Sequence, residues 1–126
     1  MRALLDTSVV IATEVPPLEG ELAISAATLA ELHFGVLVAR DASTRAERLR
    51  RLSVLQRKFD ALPLDDAVAA SYGHLATAVV EAGHQSRART MDLIIAATAH
   101  AHSARLYTRN ASDFIGADTL VEIVPV

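Results

Sequence analysis

The sequence predicts a three-layer α/β/α fold in which a small parallel sheet of four to five strands lies between helices. Short apolar runs alternate with longer amphipathic stretches along the 126 residues, which is the pattern of successive β-α-β units. Parallel neighbours need a crossover, and helices on both faces of the sheet supply it. Because 52% of residues are hydrophobic and only 21% are charged, we expect residues 1–126 to pack as one domain around a buried core.

The predicted elements follow in chain order. Five short apolar runs are the expected strands: Ala3–Leu5, Leu22–Ser25, Ala61–Leu64, Arg105–Thr108 and Val121–Val124. Four longer segments are the expected helices: Ala27–Ala39, Ser43–Phe59, Asp65–Ala82 and Thr90–Ser103. The first repeats apolar residues at helical spacing, the second opens on a hydroxyl cap, and the third opens on two aspartates and stops at Gly83. The fourth contains LIIAATA and is expected to be buried nearly all round. The stretches TEVPPLEG and EAGHQSRAR are predicted surface loops.

Composition and charge exclude several protein classes. The chain has no cysteine, so disulfides and thiolate metal sites are excluded. It contains no apolar run long enough to span a membrane and no signal-peptide pattern, so a soluble, cytoplasmic protein is expected. The net charge is only −3, yet seven of the twelve basic residues fall within 19 positions. They are Arg40, Arg45, Arg48, Arg50, Arg51, Arg57 and Lys58. Such a cluster is either a solvated helix face or a phosphate-binding stripe.

Four acidic residues stand where a parallel sheet would carry a functional site. Asp6 follows the first strand directly, and Asp113 lies a few residues beyond the fourth strand on a turn or single helical turn. Glu31 and Asp92 belong to the first turns of helices that begin near the same edge. In such sheets the functional crevice lies at the carboxyl ends of the strands, where the strand order reverses. The four carboxylates are therefore predicted to converge.

Each of these acids also has a purely structural interpretation. Asp6, with two hydroxyl residues after it, could cap a helix. Thr28–Glu31 has the spacing of a capping box, a pattern repeated at Thr44–Glu47. Asp92 would be favoured in a helical first turn by the macrodipole, and Asp113 could cap a short helix. Glu31 and Asp92 are nevertheless flanked by apolar stretches, where an unpaired acid is costly.

Clustered carboxylates favour a divalent cation. At about 4 Å and an effective dielectric of about 20, each like-charge pair costs on the order of 4 kcal/mol before relaxation. Protonation or a shared cation relieves that repulsion. Hard oxygen ligands without His or Cys favour Mg²⁺ or Mn²⁺ over Zn²⁺. The residues are therefore typical of metal-assisted phosphodiester hydrolysis.

Four motifs carry a family resemblance. LLDTSVVI, SAATLAELHFG, MDLIIAATAHAH and LYTRNASDF occur in this order, each with its acid present. The chain thereby resembles PIN-domain ribonucleases, specifically the VapC-type toxins of bacterial type II toxin–antitoxin modules. The resemblance spans nearly the whole chain. It implies a PIN-like fold, Mg²⁺- or Mn²⁺-dependent endoribonuclease activity on an RNA substrate, homodimerisation, and a cognate VapB-type antitoxin whose C-terminal tail occupies the active groove.

The resemblance also assigns roles to particular residues. The implied metal-binding quartet is Asp6, Glu31, Asp92 and Asp113. The implied accessory polar residues are Thr7, Ser8, Thr108 and Asn110. One departure stands out, because only 25 positions separate the first two acids, and TEVPPLEGE fills the gap where relatives carry an extra helix or helical hairpin. We expect a shortened groove wall with more open substrate access and an altered contribution of this wall to antitoxin docking.

Other basic and polar residues of the sequence have interpretations of their own. Arg87, Arg89 and Arg109 lie close in sequence to the acids and are candidates for holding RNA phosphates. The pair His100 and His102 cannot share an ion on a helix, since residues two apart point in different directions. Haloacid-dehalogenase-like phosphatases and receiver domains need a lysine that is not available here. The remaining alternative is a non-catalytic PIN-like module that binds RNA or protein.

Overall fold

A five-stranded parallel sheet forms the centre of the molecule in the computed structural model, which describes residues 1–126. Its strands are β1 (Arg2–Leu5), β2 (Glu21–Ser25), β3 (Ala61–Leu62), β4 (Arg105–Thr108) and β5 (Ile123–Pro125). Their order across the sheet is β3-β2-β1-β4-β5, and all four pairings are parallel. The predicted fold class is confirmed.

Five helices surround this sheet. They are α1 (Thr7–Val10), α2 (Ala26–Leu37), α3 (Ala42–Lys58), α4 (Asp66–Glu81) and α5 (Thr90–Ala101). Short 3₁₀ helices occur at Arg87–Arg89, Ala111–Phe114 and Ala117–Thr119. Residues 13–20, the predicted TEVPPLEG loop, contain neither helix nor strand. None of the helices combines the length and the apolar character that crossing a bilayer requires.

Successive side chains of β1 point to opposite faces of the sheet, and a hydrophobic core lies on each face. Leu4 packs into the cluster formed with α4 and α5, whereas Ala3 and Leu5 pack on the opposite face against α1 and the neighbouring loop. This is the period-two pattern of a strand buried on both sides. The predicted burial of α5 is confirmed, since Leu93 and residues 95–99 are all buried. Burial of this helix holds its first turn at the sheet edge.

Several predicted boundaries are wrong by one or two residues, and three of these differences have a clear physical reason. The third strand ends at Leu62 rather than Leu64, because Pro63 has no N–H to donate to the ladder. The fifth strand begins at Ile123 rather than Val121, which is apolar because it is buried in the turn before the strand. Helix α3 is capped by Asp41 rather than by Ser43, since the Asp41 side chain accepts the Thr44 N–H at 2.7 Å.

The chain after β4 returns to the core through a close approach at Gly116. Its φ is +97°, and a Cβ there would lie 2.9 Å from the backbone Cα of Val79 on α4. Phe114 and Ala117, on either side, are 1% and 0% exposed. Glycine is therefore required at this point, and the turn it permits fixes the 3₁₀ helix that carries Asp113.

Strand order reverses between β1 and β4. The chain runs outward from β1 to β2 and β3, then crosses through α4 and α5 to β4 on the other side of β1. The crevice beyond the carboxyl ends of β1 and β4 is thus the place where such sheets carry their sites.

Candidate active site

Asp6 lies at the reversal point as a buried carboxylate held by two hydroxyl groups. The residue is 4% exposed. Its Oδ2 accepts hydrogen bonds from Ser8 Oγ at 2.7 Å and from Thr108 Oγ1 at 2.8 Å. Asp6 occupies the N-cap position of α1, yet its side chain makes no capping hydrogen bond. The capping interpretation of Asp6 is therefore wrong, and the carboxylate is positioned by the ends of two neighbouring strands.

Glu31 is held by a threonine of the first motif. Thr7 Oγ1 donates to Glu31 Oε1 at 2.7 Å and also lies 2.9 Å from Thr28 Oγ1, which is fully buried. Helix α2 begins at Ala26 and is capped by Ser25, whose hydroxyl accepts the Ala27 N–H. The Thr28–Glu31 capping box does not form, because the helix starts before it.

Asp92 experiences the charges of the other three acids. It lies half-buried in the first turn of α5. Burial, followed by the negative charges of Asp6, Asp113 and Glu31, raises the pKa of Asp92 to about 6, and Arg89 opposes that rise. Because Coulombic effects decline with distance, the four predicted acids share one region of the surface.

Asp113 is paired with an arginine. Arg89 Nη1 donates to Asp113 Oδ1 at 3.0 Å, and both side chains are 39% exposed. Arg89 ends the 3₁₀ helix before α5, and Asp113 lies in the 3₁₀ helix after β4. This ion pair joins the two segments that flank Asp92.

The four acids share a region, but no group of three or more Asp, Glu, His or Cys side chains is arranged to hold a metal ion. Three of the carboxylates are instead turned to partners within the protein: hydroxyl groups for Asp6 and Glu31, and a guanidinium for Asp113. Unneutralised carboxylates repel one another, which favours such partners. The donor set consists of oxygen atoms only, and burial together with the neighbouring negative charges raises the pKa of Asp92. Both observations fit a divalent cation such as Mg²⁺ or Mn²⁺, so metal binding by the quartet stays a prediction.

The accessory polar residues divide into two groups. Ser8 and Thr108 contact Asp6 directly, and Thr7 contacts Glu31. Asn110 contributes its backbone, since its N–H donates to Thr108 Oγ1 at 3.0 Å, and its side chain does not cap the following 3₁₀ helix. The hydroxyl groups of α1 and of the end of β4 are thus built into the site, and the Asn110 side chain is left exposed.

The three candidate RNA-binding arginines occupy different positions. Arg89 is in the site. The Arg109 backbone N–H donates to Ser8 Oγ at 3.0 Å, but its guanidinium donates to the Glu14 carbonyl at 3.2 Å. Arg87 is exposed on the 3₁₀ helix before α5. Only Arg89 is therefore placed directly beside a predicted acid.

His100 and His102 have hydrogen-bond partners away from this site. His100 Nδ1 lies 2.8 Å from Ser71 Oγ, whereas His102 Nδ1 accepts from Arg2 Nη1 at 2.9 Å. Their different partners agree with the expectation that they do not share an ion.

The substitution Thr108→Val is expected to destabilise the protein by about 1–3 kcal/mol. It removes a donor to the buried Asp6 carboxylate and the acceptor of the Asn110 N–H. Urea unfolding measures the loss. The matched control is Thr77→Val, on the exposed face of α4, which should change stability by less than about 0.5 kcal/mol. Equal effects of the two changes would contradict the role assigned to Thr108.

Sequence reasoning missed two contributions to the site. Thr28 is a helix-cap candidate in the sequence, and its burial beside Thr7 depends on how α1 meets α2. Arg48 and Arg51 belong to the basic cluster for which the sequence leaves a solvated face and a phosphate-binding stripe open, and it does not indicate that their side chains reach the segments that carry Thr7 and Glu31. A pattern in one helix does not reveal which neighbouring helix it will pack against.

Comparison with known proteins finds one family and several similar chains. The PIN domain family matches residues 3–118. Ribonuclease VapC5 of Mycobacterium tuberculosis is 37% identical over 131 aligned residues, which cover 98% of this chain and 94% of that protein. Ribonuclease VapC8 of the same organism is 39% identical over 100 residues, which cover 76% of this chain and 88% of that protein.

A solved structure extends the match to the whole fold. The crystal structure of VapBC-5 from Mycobacterium tuberculosis, a member of the VapBC family of toxin–antitoxin systems, superposes with a TM-score of 0.87 at 36% identity. The match covers 99% of this chain and 98% of that one. The four motifs, the sheet order and these similarities lead to one conclusion: the chain belongs to the PIN-domain family, in the group that includes the VapC ribonucleases.

Proposed function

We propose that this protein is a Mg²⁺- or Mn²⁺-dependent endoribonuclease that hydrolyses RNA phosphodiester bonds as the toxin of a VapBC-type module. The observation that carries the proposal is the position of Asp92, half-buried among three other carboxylates at the strand-order reversal. The ribonuclease names of similar proteins support the reaction class. A carboxylate cluster of this kind is suited to holding cations against a phosphodiester.

The proposed roles follow from the contacts of each residue. The residues that would hold the metal are Asp6, Glu31, Asp92 and Asp113. When bound, the cation supplies water activation and stabilises charge on the attacked phosphate and the leaving oxygen. Ser8 and Thr108 keep the Asp6 carboxylate in one orientation, and Thr7 does the same for Glu31. Asn110 is proposed to orient a water or a phosphate oxygen with its free side chain.

The proposal includes a protein partner. The VapBC-5 structure belongs to a toxin–antitoxin system, and we infer a cognate VapB-type antitoxin and a homodimer for this chain. Apolar side chains at the end of α2 support a protein interface, because Phe34, Leu37 and Val38 are 67%, 76% and 50% exposed. We place the activity in the cytoplasm, where RNA substrates are present.

Cleavage of RNA by the purified protein is expected in Mg²⁺ or Mn²⁺ and not in EDTA. Gel analysis of a structured RNA mixture measures this, and either cation should also raise the melting temperature, since a ligand that binds only the folded state stabilises it. In cells, expression should arrest growth, and coexpression of the small neighbouring gene product should relieve the arrest. Cleavage that continues at the same rate in EDTA would contradict metal dependence.

The same experiments test the non-catalytic alternative. That alternative is favoured by one observation, namely that no three acidic side chains form a closed ligand set. A binding module would retain RNA or protein binding after substitution of the quartet and would cleave nothing. The endoribonuclease should lose cleavage with the same substitutions.

The substitution Arg89→Ala is expected to weaken RNA binding, because it removes the guanidinium beside Asp113 and Asp92. The slope of log affinity against log salt should fall by about 0.7 for the loss of one phosphate contact. Fluorescence anisotropy over a salt series measures the slope. Arg40→Ala, an exposed change at the α2–α3 connection, is the control and should leave the slope near that of the original protein. An unchanged slope in Arg89→Ala would rule out phosphate binding by this residue.

A further inference from the structure

A cavity of about 400 Å³ lies directly beside the candidate active site. Thr7 and Glu31 line one side of it, and Arg48 and Arg51 of α3 line another. Gly35 of α2 also lines it, and a Cβ at this position would meet no atom within 4 Å. The cavity therefore joins the carboxylate site to two guanidinium groups across open space.

Contacts with the backbone hold both arginines at this cavity. Arg48 Nη1 donates to the Gly35 carbonyl at 2.7 Å, and Arg51 Nη1 donates to the Ile11 carbonyl at 3.4 Å. The Gly35 carbonyl belongs to the last turn of α2, where helical carbonyls have no partner within the helix and the macrodipole favours a cation. Each guanidinium has further N–H donors beyond the one it uses here.

The charge of the two arginines is not neutralised by an ion pair. The ion pairs of the structure are Arg89–Asp113 and Arg105–Glu122. The pKa of the Asp41 carboxyl is lowered chiefly by hydrogen bonds from Thr44, and the charge of Arg48 contributes least to this lowering. Arg48 is therefore not paired with Asp41. Two positive charges thus remain available at one side of the cavity. Guanidinium groups bind phosphate well, because two of their N–H groups can donate in parallel to two phosphate oxygens.

We propose that Arg48 and Arg51 form a phosphate-binding subsite that holds the backbone of a single-stranded RNA substrate beside the catalytic carboxylates. This inference rests on the proposed endoribonuclease function and adds to it the residues that hold a phosphate next to the one attacked. The remaining exposed basic residues of α3 then belong to its solvated face.

An RNA strand fits this cavity better than an acidic protein segment does. Glu31 on the neighbouring wall repels an acidic peptide and a phosphate alike, so its charge does not separate the two ligands. The proposed reaction, however, already brings a phosphodiester to the carboxylates. A phosphodiester chain carries regularly spaced charges, so one phosphate can meet the arginines while the next lies at the carboxylate site. Grooves for single strands commonly follow the backbone with positive charge in this way.

Binding of a fluorescein-labelled single-stranded RNA of mixed sequence tests the subsite. The protein carries Asp92→Asn and EDTA is present, so that cleavage does not interfere. The test variant adds Arg48→Gln and Arg51→Gln, which remove both charges and keep an amide donor for the backbone carbonyls. The control adds Arg50→Gln and Arg57→Gln, an equal loss of charge from exposed positions of the same helix. Thermal unfolding verifies that all proteins are folded.

The test variant should bind the RNA roughly tenfold more weakly at low salt, and its salt slope should fall by about 1.4, the value for two phosphate contacts on a single strand. The control should keep a slope close to that of the parent. Equal slopes for test and control would overturn the proposal. Loss of binding to a polyglutamate peptide with unchanged binding to RNA would also overturn it and would indicate a protein interface. Failure of the original protein to cleave any RNA would refute the endoribonuclease assignment separately, because this binding comparison needs no cleavage.

Discussion

Replacement of Asp92 by asparagine is expected to abolish RNA cleavage and at the same time to stabilise the metal-free protein. Asp92 lies among three carboxylates and is half-buried, so the charge that we propose for the reaction also opposes folding. Loss of cleavage should reach about a thousandfold or more, equivalent to roughly 4 kcal/mol of transition-state stabilisation. Single-turnover cleavage assays in Mn²⁺ measure the effect.

Asp66→Asn is the matched control for this change. Asp66 occupies the first turn of α4 as Asp92 occupies that of α5, but it is exposed and outside the site. Its replacement should leave cleavage near the original rate. An Asp92→Asn protein that cleaves at the rate of this control would refute the assignment of the metal site.

The stability effect of Asp92 should depend on pH. Its folded pKa of about 6 lies above the ordinary value of 3.8, so the folded state binds more protons between these values and stability falls as pH rises through them. The destabilisation caused by the Asp92 charge reaches its full size when the pH exceeds the folded pKa of about 6, and it is absent when the pH lies below the ordinary pKa of 3.8. Once solvent screening of this half-buried group is allowed for, Asp92→Asn should add about 1–2 kcal/mol at neutral pH.

Urea unfolding in EDTA at neutral pH and at about pH 4.5 measures this difference between the two proteins. The gain from Asp92→Asn should be largest at neutral pH and should shrink in acid. A gain that is the same at both pH values would show that the buried negative charge of Asp92 is not its cause.

Removal of the Phe114 ring is expected to have the largest effect on stability. Phe114 is 1% exposed and directly follows Asp113 in the 3₁₀ helix that the close approach at Gly116 holds against α4. Phe114→Ala should cost about 3–5 kcal/mol, measured by chemical denaturation. It should also slow cleavage, because the segment that positions Asp113 loses its anchor.

Phe114→Leu keeps the fold measurable if the alanine variant does not fold. We expect a smaller loss, on the order of 1–2 kcal/mol, because most of the buried volume is retained. Ile115→Ala is the control, since its side chain is 50% exposed and adjacent in sequence. Similar losses for Phe114→Leu and Ile115→Ala would contradict the anchoring role.

The local sequence pattern predicted strands and helices well where the residues of an element themselves determine where it begins and ends. Arg105–Thr108 has the predicted bounds, and Gly83 follows α4 with a φ of +86°, as a helix-ending glycine should. Errors occurred where a residue is apolar because it packs into the core from a turn, and not because it belongs to a strand. Val121 is apolar because it fills the core from a turn, so its hydrophobicity alone could not distinguish turn from strand.

The acids of the candidate site could be predicted from the sequence, whereas the hydrogen bonds that hold them could not. Asp6 could be placed because the end of a parallel strand has a known position relative to its neighbours. The hydrogen bond between Thr7 and Glu31 joins residues 24 positions apart, and nothing in either motif indicates it. The same holds for Arg48, whose partner Gly35 lies on another helix.

The two hydroxyl groups that bind Asp6 have a consequence for ion selectivity. Both donate to the same oxygen, Oδ2, so only Oδ1 can approach a cation without breaking one of these bonds. A large ion such as Ca²⁺ commonly takes both oxygens of a carboxylate, whereas Mg²⁺ accepts one oxygen from each of a few ligands in a strict octahedron. In the proposed metal site, calcium should therefore substitute poorly for Mg²⁺, because two side chains that do not touch the ion already occupy Oδ2 of Asp6.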